Sequence, residues 1–379
     1  MQGSGERAVP AGEGTFVSVQ ILRALAALVV VSVHIPTEVQ YGMGWGEALP
    51  LFLNGGAAAD LFFVISGFVI VYASEAMFGQ ADAPRVFFLR RLARVVPLYW
   101  LTSALILAMI LLFYEDISAA VHSIGSVVAS FALVPYPRPN GVPFPLNPPG
   151  WTMPYEMFFY AAFAVAILLS RARAVLAVTL FFAALAAVGL IVPLPYPFAG
   201  WCDPLMLDFC LGMGIALAYR AGWRMPLALS CLCVIAALAA YVASGFGGGP
   251  HVAWRVLEWG LPSAILLAGI VLSRAQPAPG RFARAVAFLG DASYSLYLVH
   301  PLVLPIPRRI LRHFVDIPQR PWIFAAVLLV AAIGAAILCY VLFERPLTRA
   351  LHRRIGGVRM PQQAAPDDTS RSYRVASPL

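Results

Sequence analysis

In the segment LRALAALVVVSVH, Arg23 and His34 stand eleven residues apart. At 100° per residue that spacing falls within about 20° of three full turns, so a helix carries both on one face, about 16 Å apart in depth. A histidine can take a proton from a hydroxyl near neutral pH, and an arginine can hold a phosphate. Each residue also has a plain structural reading, as an interfacial histidine at a helix end or a buried arginine in a pair. AAADLFFVISGF adds Asp60, able to orient a histidine or to cap its helix, and Gly67, which permits close helix contact. FFLRRLARVVPLYW places Arg90, Arg91 and Arg94 before Pro97, as membrane anchors or as ligands for a phosphate-rich molecule such as coenzyme A. PPGWTMPYEMFFY contributes Trp151, Tyr155 and Glu156, CDPLMLDFCLGMG contributes Asp203 and Asp208, and GDASYSLYLVHP contributes His300.

Such residues matter because of where they sit. Of 379 residues, 61% are hydrophobic and 12% charged, a balance that a water-soluble core cannot absorb. Crossing a hydrocarbon layer takes about 20 apolar residues per helix. Runs of that length cover about 16–35, 56–74, 95–113, 151–170, 174–192, 201–219, 225–244, 255–273, 285–304 and 322–343. The fold expected is therefore an all-α polytopic membrane protein, a bundle of about ten transmembrane helices over residues 15–345. Residues 1–14 form a cytoplasmic amino-terminal segment with no signal-peptide pattern, and 346–379 a basic and then disordered tail. The stretch 123–134 is too short to cross and reads as an interfacial helix followed by a Pro-rich loop.

All 26 basic residues are arginine, and the net charge is +8. Their placement in short clusters between apolar runs argues for topology and anionic head groups rather than nucleic acid. The connections near 75–94, 171–173, 220–224 and 274–284 hold eleven arginines, and the segment from Arg345 adds seven, which puts both termini in the cytoplasm of a plasma (inner) membrane protein. Arg138 alone marks the long connection after the third run, whereas Arg308, Arg309, Arg312 and Arg320 fall on a connection this topology puts outside. In this orientation His34, Asp60, Glu156 and His300 gather toward the outer side, and Arg23, Arg90, Arg91 and Arg94 toward the inner side. The five cysteines lack metal-ligand or disulfide spacing and read as packing residues.

Five blocks, LRALAALVVVSVH, DLFFVISGF, FFLRRLARVVPLYW, WTMPYEMFFY and GDASYSLYLVHP, occur in order over residues 22–301, with FERPL closing the set. In these the chain resembles the membrane acyltransferase-3 family, which includes exopolysaccharide and O-antigen acetyltransferases and antibiotic-modifying acyltransferases. The resemblance implies an acyl-CoA donor, probed first as acetyl-CoA, a carbohydrate hydroxyl as acceptor, and no tightly bound cofactor or metal. It maps the family's paired arginine and histidine onto Arg23 and His34, and its basic motif onto Arg90 and Arg91. On this reading His34, Glu156 and Asp60 are catalytic, with His34 the base and the carboxylates orienting it. Arg23, Arg90, Arg91 and Arg94 bind the donor, and Trp151, Tyr155 and His300 the acceptor. The alternative from another class is a transporter or flippase of a lipid-linked glycan, which would use the same buried charges along a path.

Overall fold

A computed structural model of the chain describes residues 13–43, 55–113, 123–137, 145–244, 254–275, 279–306, 310 and 321–356. The expectations for Arg138, for Arg308, Arg309, Arg312 and Arg320, and for 360–379 lie outside these residues. The described chain is helical, and one isolated bridge between Met225 and Ser273 is its only β pairing. The helices are α1 (Glu13–Met43), α2 (Gly55–Ala73), α3 (Ala83–Phe113), α4 (Ile124–Ala132), α5 (Met153–Ala166), α6 (Arg171–Ile191), α7 (Leu207–Arg220), α8 (Leu227–Ala243), α9 (Leu261–Val271), α10 (Arg281–Asp291), α11 (Ser293–Val303), α12 (Pro321–Cys339) and α13 (Arg345–Ile355).

Among the described residues, six helical stretches are long and apolar enough to cross a membrane: Phe16–Val39, Gly55–Ala73, Ala83–Phe113, Arg171–Ile191, Phe198–Arg220 and Pro321–Ile355. Leu227–Ala243 and Val256–Val271 are apolar but shorter. Large side chains such as Leu112, Val330 and Leu342 face outward, so apolar surface lies outside while Asp60, Asp208 and His300 are buried within, as expected where lipid is the solvent.

Three elements differ from the sequence expectation for identifiable reasons. α3 starts at Ala83, so Arg90, Arg91 and Arg94 lie inside the helix and not before it; charge lowers hydropathy without breaking a helix. The run at 285–304 is split at Ala292 into α10 and α11. α5 covers only fourteen residues because the preceding segment enters the bundle. Its Asn147 is fully buried, with the side-chain amide donating to Thr102 Oγ1 and to the Leu298 carbonyl at 3.1 Å each. At Gly150, a Cβ would come within 2.5 Å of the Tyr99 ring.

Close helix crossings organise the interior. α2 lies against α7 so tightly that a Cβ at Gly67 would sit 2.0 Å from the Phe209 carbonyl oxygen, and one at Gly212 would sit 1.9 Å from that of Val64. Glycine at both positions lets the two backbones touch. Phe209 then meets Phe63 at 4.6 Å and stacks on Phe159 at 4.2 Å between ring centroids. α10 approaches α1 in the same way, since a Cβ at Gly290 would lie 1.9 Å from the Gln20 carbonyl oxygen.

Gly67→Ala and Gly212→Ala must therefore separate α2 from α7, at a cost of about 1–3 kcal/mol for overpacking. Thermal unfolding of the detergent-solubilised protein should show a lower midpoint for either variant. Gly334→Ala, placed where a Cβ meets nothing within 4 Å, should leave the midpoint unchanged.

Candidate active site

α1, α2, α3, α5 and α11 line a partly open cavity. Its polar wall is built from Arg23 of α1, Arg91 and Arg94 of α3, Glu156 and Tyr160 of α5, and Ser293 at the start of α11. α2 supplies the opposing wall through Phe62, Phe63 and neighbouring residues. Arg91 and Arg94 are three apart on α3, and Glu156 and Tyr160 four apart on α5, so helical periodicity turns each pair to one side.

Two of the cationic groups are held from behind. The Arg23 guanidinium donates to Ser293 Oγ at 3.0 Å and to Gln20 Oε1 at 3.3 Å, so the α1–α10 crossing sets its position. Arg91 lies over the rings of Phe87 and Tyr160, at 5.4 and 5.7 Å from their centroids. The Tyr160 hydroxyl donates to Glu156 Oε1. Among the described residues the ion pairs are Arg171–Glu75, Arg220–Glu75 and Arg255–Asp60, and none involves Arg23, Arg91 or Arg94. Three guanidinium groups thus share one cavity with a single lining carboxylate, a lining suited to an anion bearing several oxygens.

Two further clusters lie apart from that cavity's lining. His34 and His300, from α1 and α11, face each other with ring centroids 4.9 Å apart. His34 Nδ1 is 2.7 Å from the Val30 carbonyl oxygen, and a carbonyl only accepts, so Nδ1 carries a hydrogen and the neutral form of the ring has its lone pair on Nε2. The group that orients His34 is thus the Val30 carbonyl, in place of the carboxylate of Asp60 or Glu156. Asp60 is instead fully buried against Arg255, which donates to Oδ2 at 2.7 Å and to Oδ1 at 3.2 Å. The indoles of Trp151 and Trp259 flank that guanidinium at 5.2 and 5.1 Å. Trp151 also meets Tyr155 edge to face, and with Tyr99 both line a second, smaller cavity.

The grouping expected from the sequence is therefore redrawn. Glu156 belongs with the arginines and not with the histidines, because the segment before α5 starts the helix inside the bundle. Arg90 turns away from the cavity and donates to the Gly356 carbonyl at 3.1 Å, while its own carbonyl oxygen lies 3.1 Å from His352 Nε2. It thereby secures the end of α13 against α3. Asp203 caps the following turn through the Leu205 N–H at 2.9 Å, and Asp208 is buried beside Gly260. All five cysteines are free.

Sequence reasoning passed over Tyr160, Arg255 and Glu344. Tyr160 was signalled by its i+4 spacing from Glu156, and Arg255 by a charge at the edge of an apolar run. Glu344, in FERPL, is buried and accepts from Ser295 Oγ at 2.6 Å. Its position after a long apolar stretch was the available signal.

Comparison with known proteins agrees with this chemistry. The profile of the family described as the Acyltransferase domain matches residues 16–341. The chain is 33% identical over 302 residues to the exopolysaccharide production protein ExoZ of Rhizobium meliloti, covering 79% of this chain and 91% of that protein. It is 28% identical over 378 residues to the acyltransferase MdmB of Streptomyces mycarofaciens, covering 91% and 94% respectively. No solved structure matches the chain. With the family profile spanning most of its length and five sequence blocks folded around one cationic cavity, the chain is an acyltransferase and belongs to the acyltransferase-3 family.

Proposed function

We propose that this protein is a membrane-embedded O-acyltransferase that moves an acyl group, acetyl as the first candidate, from acyl-CoA to a hydroxyl of an exopolysaccharide or related glycan. The observation that carries the reading is the cavity in which Arg23, Arg91 and Arg94 converge without an ion-pair partner among the described residues. Coenzyme A carries a diphosphate and a further phosphate, the class of ligand that such a set of guanidinium groups holds. The glycan acceptor is supported by the similarity to ExoZ, an exopolysaccharide production protein.

The donor's phosphates are held by the arginines, and its pantetheine arm runs along α1 toward His34, about 16 Å away along the helix. A hydroxyl is a weak nucleophile near neutral pH. His34 Nε2 takes its proton as the oxygen attacks the thioester carbonyl, and returns it to the sulfur as the carbon–sulfur bond breaks. The products are the O-acyl glycan and free coenzyme A. The hydrogen bond to Val30 holds the tautomer that leaves Nε2 able to act. Asp60 is assigned here to supporting the site through Arg255, Trp151 and Tyr155 to the acceptor side, and Glu156 to positioning Arg91 through Tyr160. Arg90 is assigned to the cytoplasmic entrance for the donor. The arginine distribution supports a plasma-membrane orientation with both termini cytoplasmic, and the apolar runs a count of about ten spans; in that orientation the arginine cavity lies toward the donor's compartment.

Transfer of labelled acetyl from acetyl-CoA to cell-envelope or secreted glycan, measured in membranes, tests this reading. His34→Ala should lower base-labile labelling by about 10²- to 10⁴-fold at equal expression. Labelling equal to wild type removes His34 from the mechanism, and no labelling of wild type with any acyl-CoA overturns the donor assignment. Arg91→Ala and Arg94→Ala should each raise the KM for acetyl-CoA by about 10- to 100-fold, the worth of one charge-assisted hydrogen bond. An unchanged KM in both would separate the cavity from donor binding.

A further inference from the structure

α13 has the sequence RPLTRALHRRI, in which four arginines and a histidine occur with no acidic residue. Arg345, Arg349 and Arg353 recur every four residues, which at 100° per residue keeps them within about 80° of one another around the helix. All three are exposed, whereas Leu351, His352 and Ile355 are half-buried. Arg353 Nε donates to the Arg349 carbonyl at 3.4 Å, and none of the three forms an ion pair among the described residues. Asp291 lies within electrostatic reach of Arg345, so Arg349 and Arg353 are the less compensated pair.

Two features place this stripe. Pro321–Ile355 is one helical stretch of 35 residues, about 50 Å long at 1.5 Å per residue, against a hydrocarbon layer of about 30 Å. Its apolar part ends at Phe343, so α13 projects past that layer toward head groups and water. The helix is also pinned at both ends to elements that line the arginine cavity. Just before its start, Glu344 accepts from Ser295 Oγ on α11 at 2.6 Å, two residues after the cavity-lining Ser293. Just after its end, the Gly356 carbonyl accepts from Arg90 at 3.1 Å, one residue before the cavity-lining Arg91. α13 therefore runs along the edge of the cavity from α11 to α3, with its arginines outside the lining.

Coenzyme A carries phosphate at two places: a diphosphate that leads into the pantetheine arm, and a 3′-phosphate on the same ribose. Arg23, Arg91 and Arg94 are assigned to the first. α13 packs against α3, and the axes of packed helices are about 8–10 Å apart. A phosphate one ribose beyond those held by Arg91 and Arg94 is thus within reach of an arginine on α13.

We propose that Arg349 and Arg353 hold the 3′-phosphate of the donor and so select coenzyme A thioesters over their 3′-dephospho counterparts. This rests on the reading of acyl-CoA as the donor. The stripe acts on binding alone, and no bond is made or broken there. A phosphate monoester carries nearly two negative charges near neutral pH and offers three acceptor oxygens, which two guanidinium groups one turn apart can share. A lipid phosphate in the head-group layer is the same chemistry from another source, but it would make α13 an anchor with no influence on which thioester is chosen.

The test measures acetyl transfer to cell-envelope glycan in membranes, with acetyl-CoA and with 3′-dephospho-acetyl-CoA. Wild type should show a KM about 10-fold higher for the dephospho thioester, the effect of about one charge-assisted hydrogen bond, at the same kcat. Arg349→Gln and Arg353→Gln should each raise the KM for acetyl-CoA by about 3- to 10-fold, toward the dephospho value, while Arg349→Lys keeps most of the wild-type ratio. Arg354→Gln, about 100–140° away around the helix and with the same loss of charge, should keep the ratio of wild type. Equal KM values for the two thioesters in wild type overturn the proposal without any variant having to fold. A ratio unchanged in both Gln variants, or lowered equally by Arg354→Gln, overturns it as well, and is the result expected if α13 serves lipid phosphates or topology. Transfer from neither thioester removes the donor reading itself, and this proposal with it.

Discussion

The contact between the backbones of α2 and α7 at Gly67 and Gly212 is the constraint from which the rest of the interior follows. In a bilayer, helices gain nothing by hiding apolar surface from one another, so association depends on how closely they pack. Glycine at these two positions removes the atoms that would hold the helices apart. The aromatic layer of Phe63, Phe159 and Phe209 fills the space beside that crossing. α2 is thereby fixed as one wall of the cavity, and the α1–α10 crossing at Gly290 brings Arg23 to Ser293 on the other.

Around this frame the charges are treated in two ways. Arg255 is compensated by a bidentate contact to Asp60 and by two flanking indoles, the arrangement expected of a charge whose task is to hold structure. Arg23 receives hydrogen bonds to neutral groups and Arg91 contacts with aromatic rings, which fix their direction, and neither these two nor Arg94 forms an ion pair among the described residues. The distinction separates a charge matched within the bundle from the cluster to which the proposed donor is assigned.

The sequence by itself determined the helical elements, because apolar runs of bilayer length admit little else. It also determined that Arg23 and His34 share a face, since both lie on one uninterrupted helix whose period is fixed. The Glu156–Tyr160 and Arg91–Arg94 pairs were legible in the same way, by spacing alone. Hydropathy was a poorer guide to ends: it began the third helix too late because arginines interrupt the apolar signal but not the backbone hydrogen bonding.

Only the tertiary structure decided which helices meet. His34 faces His300, and Asp60 faces Arg255, across separations in sequence that no local period reports. Depth was equally hidden: Glu156 joins the arginines because residues 145–152 enter the bundle before α5 begins, held by Asn147 and by the lack of a Cβ at Gly150. Local sequence fixes the period and direction of each helix, whereas the placement of one charge beside another depends on contacts made after the chain has packed.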